Sequence, residues 1–165
     1  MESNNVLGLI RIRVRRGMNL VIRDAASSDP YVVLTMGSQK VKTRVVKNSH
    51  NPEWNDELTM YVNDPNLPIH LTIYDKDTFT VDDTMGNAEF EIKTLVECLT
   101  KGSASLPDGT KVGSVDPSHD NCLADKSCVI WQGGKMVQDM RLKLKNVESG
   151  EVEIQIEWID LNKSH

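Results

Sequence analysis

The segment Leu9–Arg16 constrains the fold most: Ile10, Ile12 and Val14 alternate with Arg11, Arg13 and Arg15. A period of two places the apolar groups on one face of an extended strand and the guanidinium groups on the other. Near the other end, Val152, Ile154, Ile156 and Trp158 alternate with Glu151, Glu153, Gln155 and Glu157, a strand with an acidic outer face. Between these two lie Tyr31–Met36, Val41–Val46, Leu58–Val62, Ile69–Tyr74, Ala88–Ile92, Cys128–Trp131 and Met140–Leu144. All are short apolar or β-branched runs bounded by Gly, Pro, Asn and Asp. About eight such strands in 165 residues, 39% of them hydrophobic, predict one all-β domain, an antiparallel sandwich with enough apolar residues for a core. Turn chemistry in Asn146–Gly150 predicts a hairpin between the last two strands, its register setting Lys143 and Lys145 across from Glu151 and Glu153.

One stretch breaks the pattern. Lys93–Lys101 carries Leu95, Val96 and Leu99 at helical spacing, and Gly102–Lys126 is rich in Gly, Ser, Pro and Asp. The expectation is a short helix followed by a polar loop, an insertion over about 93–126 before the last strands. It either binds a partner or covers an exposed sheet edge.

Charge is unevenly spread. Residues 1–50 hold nine Lys and Arg against three Asp and Glu, whereas residues 51–100 hold two against eleven, which predicts two faces of opposite sign. Five aspartates stand out in two stretches that each follow a strand-like run. These are Asp24 and Asp29 in RDAASSDPYV, then Asp75, Asp77 and Asp83 in YDKDTFTVDD. If folding joins both stretches at one sheet edge, the resulting cradle needs a cation. Aspartates that merely cap turns are the alternative.

Other chemistries find little support. The three cysteines, Cys98, Cys122 and Cys128, are an odd number, which favours a reducing compartment over a disulfide framework. His119, Cys122 and Cys128 lie close in sequence but lack the paired spacing of structural zinc. No apolar run reaches membrane-spanning length, so the expectation is a soluble intracellular protein with only peripheral membrane contact. There is no G-x-S-x-G and no P-loop, and His50, His70, His119 and His165 are scattered, so no enzyme is expected.

The order SDPYV, KVKTR, NPEWND, YDKD and DDTMGNAEF resembles a C2 domain, the calcium-dependent phospholipid-binding β-sandwich. The segment 93–126, SHDNCLADKS and the ending EVEIQIEWIDL extend the similarity to the C2-domain abscisic-acid-related proteins of plants, over nearly the whole chain. The resemblance implies carboxylate ligands at Asp24, Asp29, Asp75, Asp77 and Asp83, with the backbone carbonyls of Arg23 and Lys76, holding two Ca²⁺ ions; Asp82 is a further neighbour. Calcium suits such a set, because it takes six to eight oxygens from flexible loops. On this reading Asp75→Ala with Asp77→Ala abolishes lipid binding and leaves the fold unchanged.

Two groups are candidates for lipid contact. Phe79 and Val81 sit in the second acidic stretch, either to dip into the membrane interface or, for Phe79, to pack against its own loop. Lys40, Lys42 and Arg44 alternate with Val41 and Thr43 and present either an anionic-lipid surface or an ordinary solvated face. The resemblance further implies a role carrying soluble abscisic-acid receptors to the plasma membrane and, for some relatives, stimulating GTP hydrolysis by a partner. A mostly monomeric protein of cytoplasm, membrane surface and nucleus is expected, with no nucleic-acid partner.

Overall fold

A computed structural model describes residues 5–21, 28–102 and 105–161. Among these residues ten strands form two antiparallel sheets, one more than the nine strand-like runs named from the sequence. The first sheet runs β4 (Glu53–Val62), β1 (Gly8–Met18), β10 (Glu151–Ile159), β9 (Lys135–Lys143), β8 (Ser127–Gln132) and β7 (Thr110–Val115). The second runs β3 (Gln39–Lys42), β2 (Pro30–Met36), β5 (Ile69–Asp75) and β6 (Asp83–Phe90).

The alternation in β1 and β10 does what its period requires. Ile10, Ile12, Val14, Val152, Ile154 and Ile156 are all 0% exposed and meet Val32, Leu34, Leu71 and Ile73 of the opposite sheet in one core. Burial of each such side chain contributes about 1.5–3 kcal/mol. The outer faces depart from the expectation of two separate charged surfaces. Because β1 lies between β4 and β10, Arg13 pairs with Glu57, Arg11 with Glu157 at 3.6 Å and Arg16 with Glu153 at 3.3 Å, so this part of the surface is neutralised strand by strand. The exposed Arg13 and Arg16 pairs are worth at most about 1 kcal/mol each and act more on register than on stability, whereas Glu157 is buried and is held by Lys135 as well as Arg11.

Three expectations about local structure need correction. The β9–β10 register does set Lys143 opposite Glu151, but the partner of Glu153 is Arg141; Lys145 instead bridges to Asn87 of β6. Asn87 and Lys145 exchange both backbone hydrogen bonds, at 3.1 and 2.6 Å, and so stitch the two sheets together. In the second place, the strand expected over 41–46 ends at Lys42.

The third correction concerns the polar stretch, which supplies β7, paired with β8. It therefore covers the edge of β8 and becomes the sheet edge itself. Its helical part is α1 (Lys93–Glu97) running into a 3-10 turn at Cys98–Lys101, with Leu95 and Cys98 buried. Gly113 permits this packing: a Cβ there would lie 2.6 Å from Cys98 Sγ. No helix among the described residues is long and apolar enough to cross a membrane.

Candidate functional site

Strand ends gather the acidic residues. Asp29 precedes β2, Asp75 closes β5 and Asp83 opens β6; in register Pro30 faces Asp75 and Asp75 faces Asp83. Three of the singled-out aspartates thus share one end of the four-stranded sheet, and Asp77 follows on the loop that joins β5 to β6. Arg23 and Asp24 lie outside the described residues.

Each carboxylate has a local task. Asp75 is only 6% exposed, and its Oδ1 accepts the Asp29 backbone N–H at 2.8 Å, while Lys76 N–H donates to the Asp29 carbonyl at 3.0 Å. Asp29 Oδ1 accepts the N–H of Asn48 at 2.9 Å. Asp77 folds over its own loop: Oδ1 accepts from Phe79 N–H at 2.9 Å and Thr80 N–H at 3.3 Å, and Oδ2 accepts from the Thr80 hydroxyl at 2.8 Å. These donors, Phe79 N–H foremost, hold the Asp77 carboxyl below its ordinary range.

Asp82 is tied at both of its oxygens. Its Oδ2 accepts the Tyr31 hydroxyl at 2.5 Å, its Oδ1 accepts Asp77 N–H at 2.8 Å, and Lys76 Nζ lies 3.8 Å away. The Tyr31 bond is the main reason its carboxyl is lowered. The Tyr31 phenol is pushed up to about 12, first by burial and then by its bond to Asp82. Tyr31 also stacks on Tyr74, ring centres 5.6 Å apart. This brace was not read from the sequence, since its two ends stand 51 residues apart; the only signal was the Tyr of SDPYV.

Among the described residues, no three Asp, Glu, His or Cys side chains converge closely enough to hold a metal. The chemistry nevertheless suits a hard cation. The backbone collects Asp29, Asp75, Asp77 and Asp83 at one edge, all oxygen donors on loop or strand-end positions. Three of these carboxylates accept backbone N–H groups here, bonds that a cation would have to replace or share. Because Asp75 is buried and bonded, truncating it removes a structural acceptor. Asp75→Ala is therefore expected to lower the melting temperature as well as to remove a carboxylate from this edge.

The same loop exposes Phe79 at 92% and Val81 at 88%, so Phe79 does not pack against its own loop. On β3, Lys40 and Lys42 are exposed and form no ion pair among the described residues, whereas Arg44 lies beyond the strand end. Its backbone N–H and Nε reach Asp56 at 2.8 and 3.7 Å, and a guanidinium nitrogen donates to the Trp54 carbonyl at 3.0 Å. Two of the three cations thus stay on the β3 face, and the third ties the chain to β4. Trp54, of the NPEWND motif, is fully buried and donates from Nε1 to the Pro30 carbonyl at 3.0 Å, fixing the chain beside Asp29. Cys122 is buried and Cys128 partly so, both as free thiols.

Known proteins share this design. A family model described as C2 domain matches residues 8–106. "Protein C2-DOMAIN ABA-RELATED 8" of Arabidopsis thaliana is 59% identical over 97% of this chain and 97% of its own length. "Protein C2-DOMAIN ABA-RELATED 5" of the same plant is 58% identical over 96% of this chain and 79% of its own. "GTPase activating protein 1" of Oryza sativa subsp. japonica is 50% identical over 95% and 94%. In fold, the chain is similar to a C2 domain of plant Extended Synaptotagmin 1, with a TM-score of 0.63 at 18% identity over 96% of this chain and 99% of that one. It is similar too to the calcium-bound pair of C2 domains of Extended-Synaptotagmin 2, at TM-score 0.64 and 19% identity, over 96% of this chain and 48% of that one. With likeness this strong along nearly its entire length, the chain belongs to the C2-domain ABA-related proteins, a plant family built on the C2 domain.

Proposed function

We propose that this protein is a calcium-dependent phospholipid-binding adaptor that docks partner proteins, abscisic-acid receptors among them, on the plasma membrane. The supporting observation is the composition of one loop. Between Asp77 and Asp83 it joins carboxylates to two apolar side chains that are almost fully exposed, Phe79 and Val81. Apolar groups held out at a loop tip gain nothing in water and gain burial at a lipid interface.

In this reading Asp24, Asp29, Asp75, Asp77 and Asp83, with the carbonyls of Arg23 and Lys76, hold two calcium ions. The bound ions would offset the carboxylate charge and offer coordination positions to lipid phosphate oxygens. Without that offset the acidic edge is repelled by an anionic leaflet. Phe79 and Val81 enter the interface, and Lys40 and Lys42 meet headgroups beside it. The protein then divides between cytoplasm, membrane surface and nucleus.

Cosedimentation with phosphatidylserine vesicles over a calcium titration tests the proposal. Asp77→Asn with Asp83→Asn spares the buried Asp75 and should abolish calcium-dependent sedimentation while leaving the melting temperature within a few degrees. Equal sedimentation of wild type with and without calcium would refute it.

A second reading is favoured by the name of the rice relatives, GTPase activating protein 1. Here the chain stimulates a GTP-hydrolysing partner through protein contacts, with no catalysis of its own. In lipid-free solution the same double variant would then stimulate that partner as well as wild type does. Loss of stimulation would remove this reading.

A further inference from the structure

Trp131, Trp158, Leu99 and Ile159 wall an open groove of about 510 Å³ at the end of the six-stranded sheet where Gly133 and Gly134 turn β8 into β9. This is the end away from the acidic loops. Leu9 pairs with both Ile159 and Tyr61, and Gln39, which faces Met36 at the far end of β2 from Pro30, clasps Tyr61. Gln39 Nε2 donates to the Tyr61 carbonyl at 2.7 Å and its Oε1 accepts Tyr61 N–H at 2.9 Å.

Two indoles dominate the groove. Both are partly exposed, and each lies against a glycine: a Cβ at Gly8 would run into the ring of Trp158, and one at Gly102 into that of Trp131. Among the described residues neither indole N–H has a hydrogen-bond partner, and neither nitrogen is sealed from solvent. Trp54, by contrast, is fully buried and spends its N–H on the Pro30 carbonyl. Tryptophans with an apolar body and a free polar end are enriched where proteins meet partners.

The charges along the groove cancel: Arg11 and Lys135 stand against Glu157 and Asp160. The side-chain acceptors are also engaged already, since Glu157 is shared by Arg11 at 3.6 Å and Lys135 at 2.7 Å, and Asp160 has a partner too. Even the Trp131 carbonyl is taken, by Gly109 N–H at 2.8 Å. What the side chains leave over is donors, set in aromatic and aliphatic walls. The matching occupant is uncharged, accepts hydrogen bonds without having to donate any, and carries apolar rings. A polyproline II segment has all three properties: proline has no N–H, its carbonyls are unpaired in that helix, and its rings pack on aromatic grooves. A sugar has the wrong balance, because every hydroxyl that accepts also brings a donor. We propose that this groove binds a proline-rich segment of a partner protein in the polyproline II conformation, the indole N–H groups of Trp131 and Trp158 donating to its carbonyls.

The test is a titration of the isotope-labelled full chain with capped decaproline, without calcium or lipid, so its failure is separate from failure of the membrane reading. The indole N–H resonances of Trp131 and Trp158 and the amides of Gly133 and Lys135 should shift saturably, with the Trp54 indole unmoved. A flexible Gly-Ser decamer, which has no rings and more freedom to lose, should bind about tenfold more weakly or worse. Because the occupant is neutral, affinity should vary less than about twofold between about 50 and 500 mM salt. Trp131→Phe and Trp158→Phe keep a ring on the wall and delete the donor, and each should weaken decaproline about 2- to 10-fold. A thermal melt of each variant separates lost binding from lost fold, and if one is unstable the other decides. Unmoved indole resonances, equal binding of the two decamers, wild-type affinity in both variants, affinity that falls steeply with salt, or tighter binding of cellotetraose than of decaproline overturns the proposal.

Discussion

If Phe79 and Val81 anchor the domain in lipid, their removal has a size that can be worked out from their exposure. At 92% and 88% exposed, neither has spent its transfer free energy on the fold. Full burial of such a side chain is worth about 1.5–3 kcal/mol, and a loop tip reaching only the headgroup boundary realises part of that, about 1–2 kcal/mol each. Since about 1.4 kcal/mol is tenfold, Phe79→Ala or Val81→Ala should weaken vesicle binding about 5- to 30-fold, and the double variant about 30- to 1000-fold. Stability should change by less than about 0.5 kcal/mol, because neither side chain touches the core. The assay is partitioning onto phosphatidylserine vesicles at saturating calcium, followed by energy transfer from tryptophan to a labelled lipid, beside a thermal melt. A double variant that binds within twofold of wild type, with an unchanged melt, would show that the loop stays in water and that electrostatics alone carry the contact.

Three further outcomes follow from named contacts. Raising a phenol above its ordinary value of 10.0 means the unfolded chain gives up that proton first, so the Tyr31 contribution is whole below pH 10.0 and lost as pH rises to about 12. The lowered Asp82 carboxyl works the other way, stabilising above its unfolded value and losing that as pH falls through its folded one. Tyr31→Phe should therefore flatten both limbs of a Tm-against-pH curve, and an unaltered curve would refute the brace. Trp54→Phe removes one of the two donors to the Pro30 carbonyl, which keeps the Val46 N–H at 3.0 Å, and empties part of a fully buried site, so it should lower Tm by about 2–12 °C, read by calorimetry. Lys40→Glu and Lys42→Glu should each cost about 1 kcal/mol of anionic-vesicle affinity with Tm unchanged, whereas Arg44→Glu should lower Tm as well, because it sets like charge against Asp56.

The core strands were legible because their signal is local. In β1 and β10 every second side chain is apolar, and a two-residue period admits only one face for the interior. β7 was not legible. Its TKVGSV holds two apolar residues, neither fully buried, and a glycine whose purpose, clearance for Cys98, lies on another element. At the acidic edge the aspartate spacing announced the gathering of Asp29 and Asp75, since each borders an apolar run that had to be a strand, whereas Asp83 opens β6 five residues before the run expected from Ala88. It gave no sign of what each carboxylate does there. The burial of Asp75 and the hold of Tyr31 on Asp82 depend on pairings 46 and 51 residues apart. Arg44 misled for a related reason: alternation continues through KVKTR, but Trp54 and Asp56 on β4 decide where its guanidinium goes.

The position of β1 sets the order in which the protein can be made. This strand leaves the ribosome early, yet half its ladder belongs to β10, with Leu9 opposite Ile159 and Arg11 opposite Glu157. At about 5–20 residues per second, synthesis keeps its apolar face waiting for on the order of ten seconds or more before that partner exists. During this interval β4 alone can shield one side, and the open edge is a template for foreign strands. A chain cut short before Glu151 would thus expose the middle of its main sheet, and such products should meet chaperones or proteases before they meet a membrane.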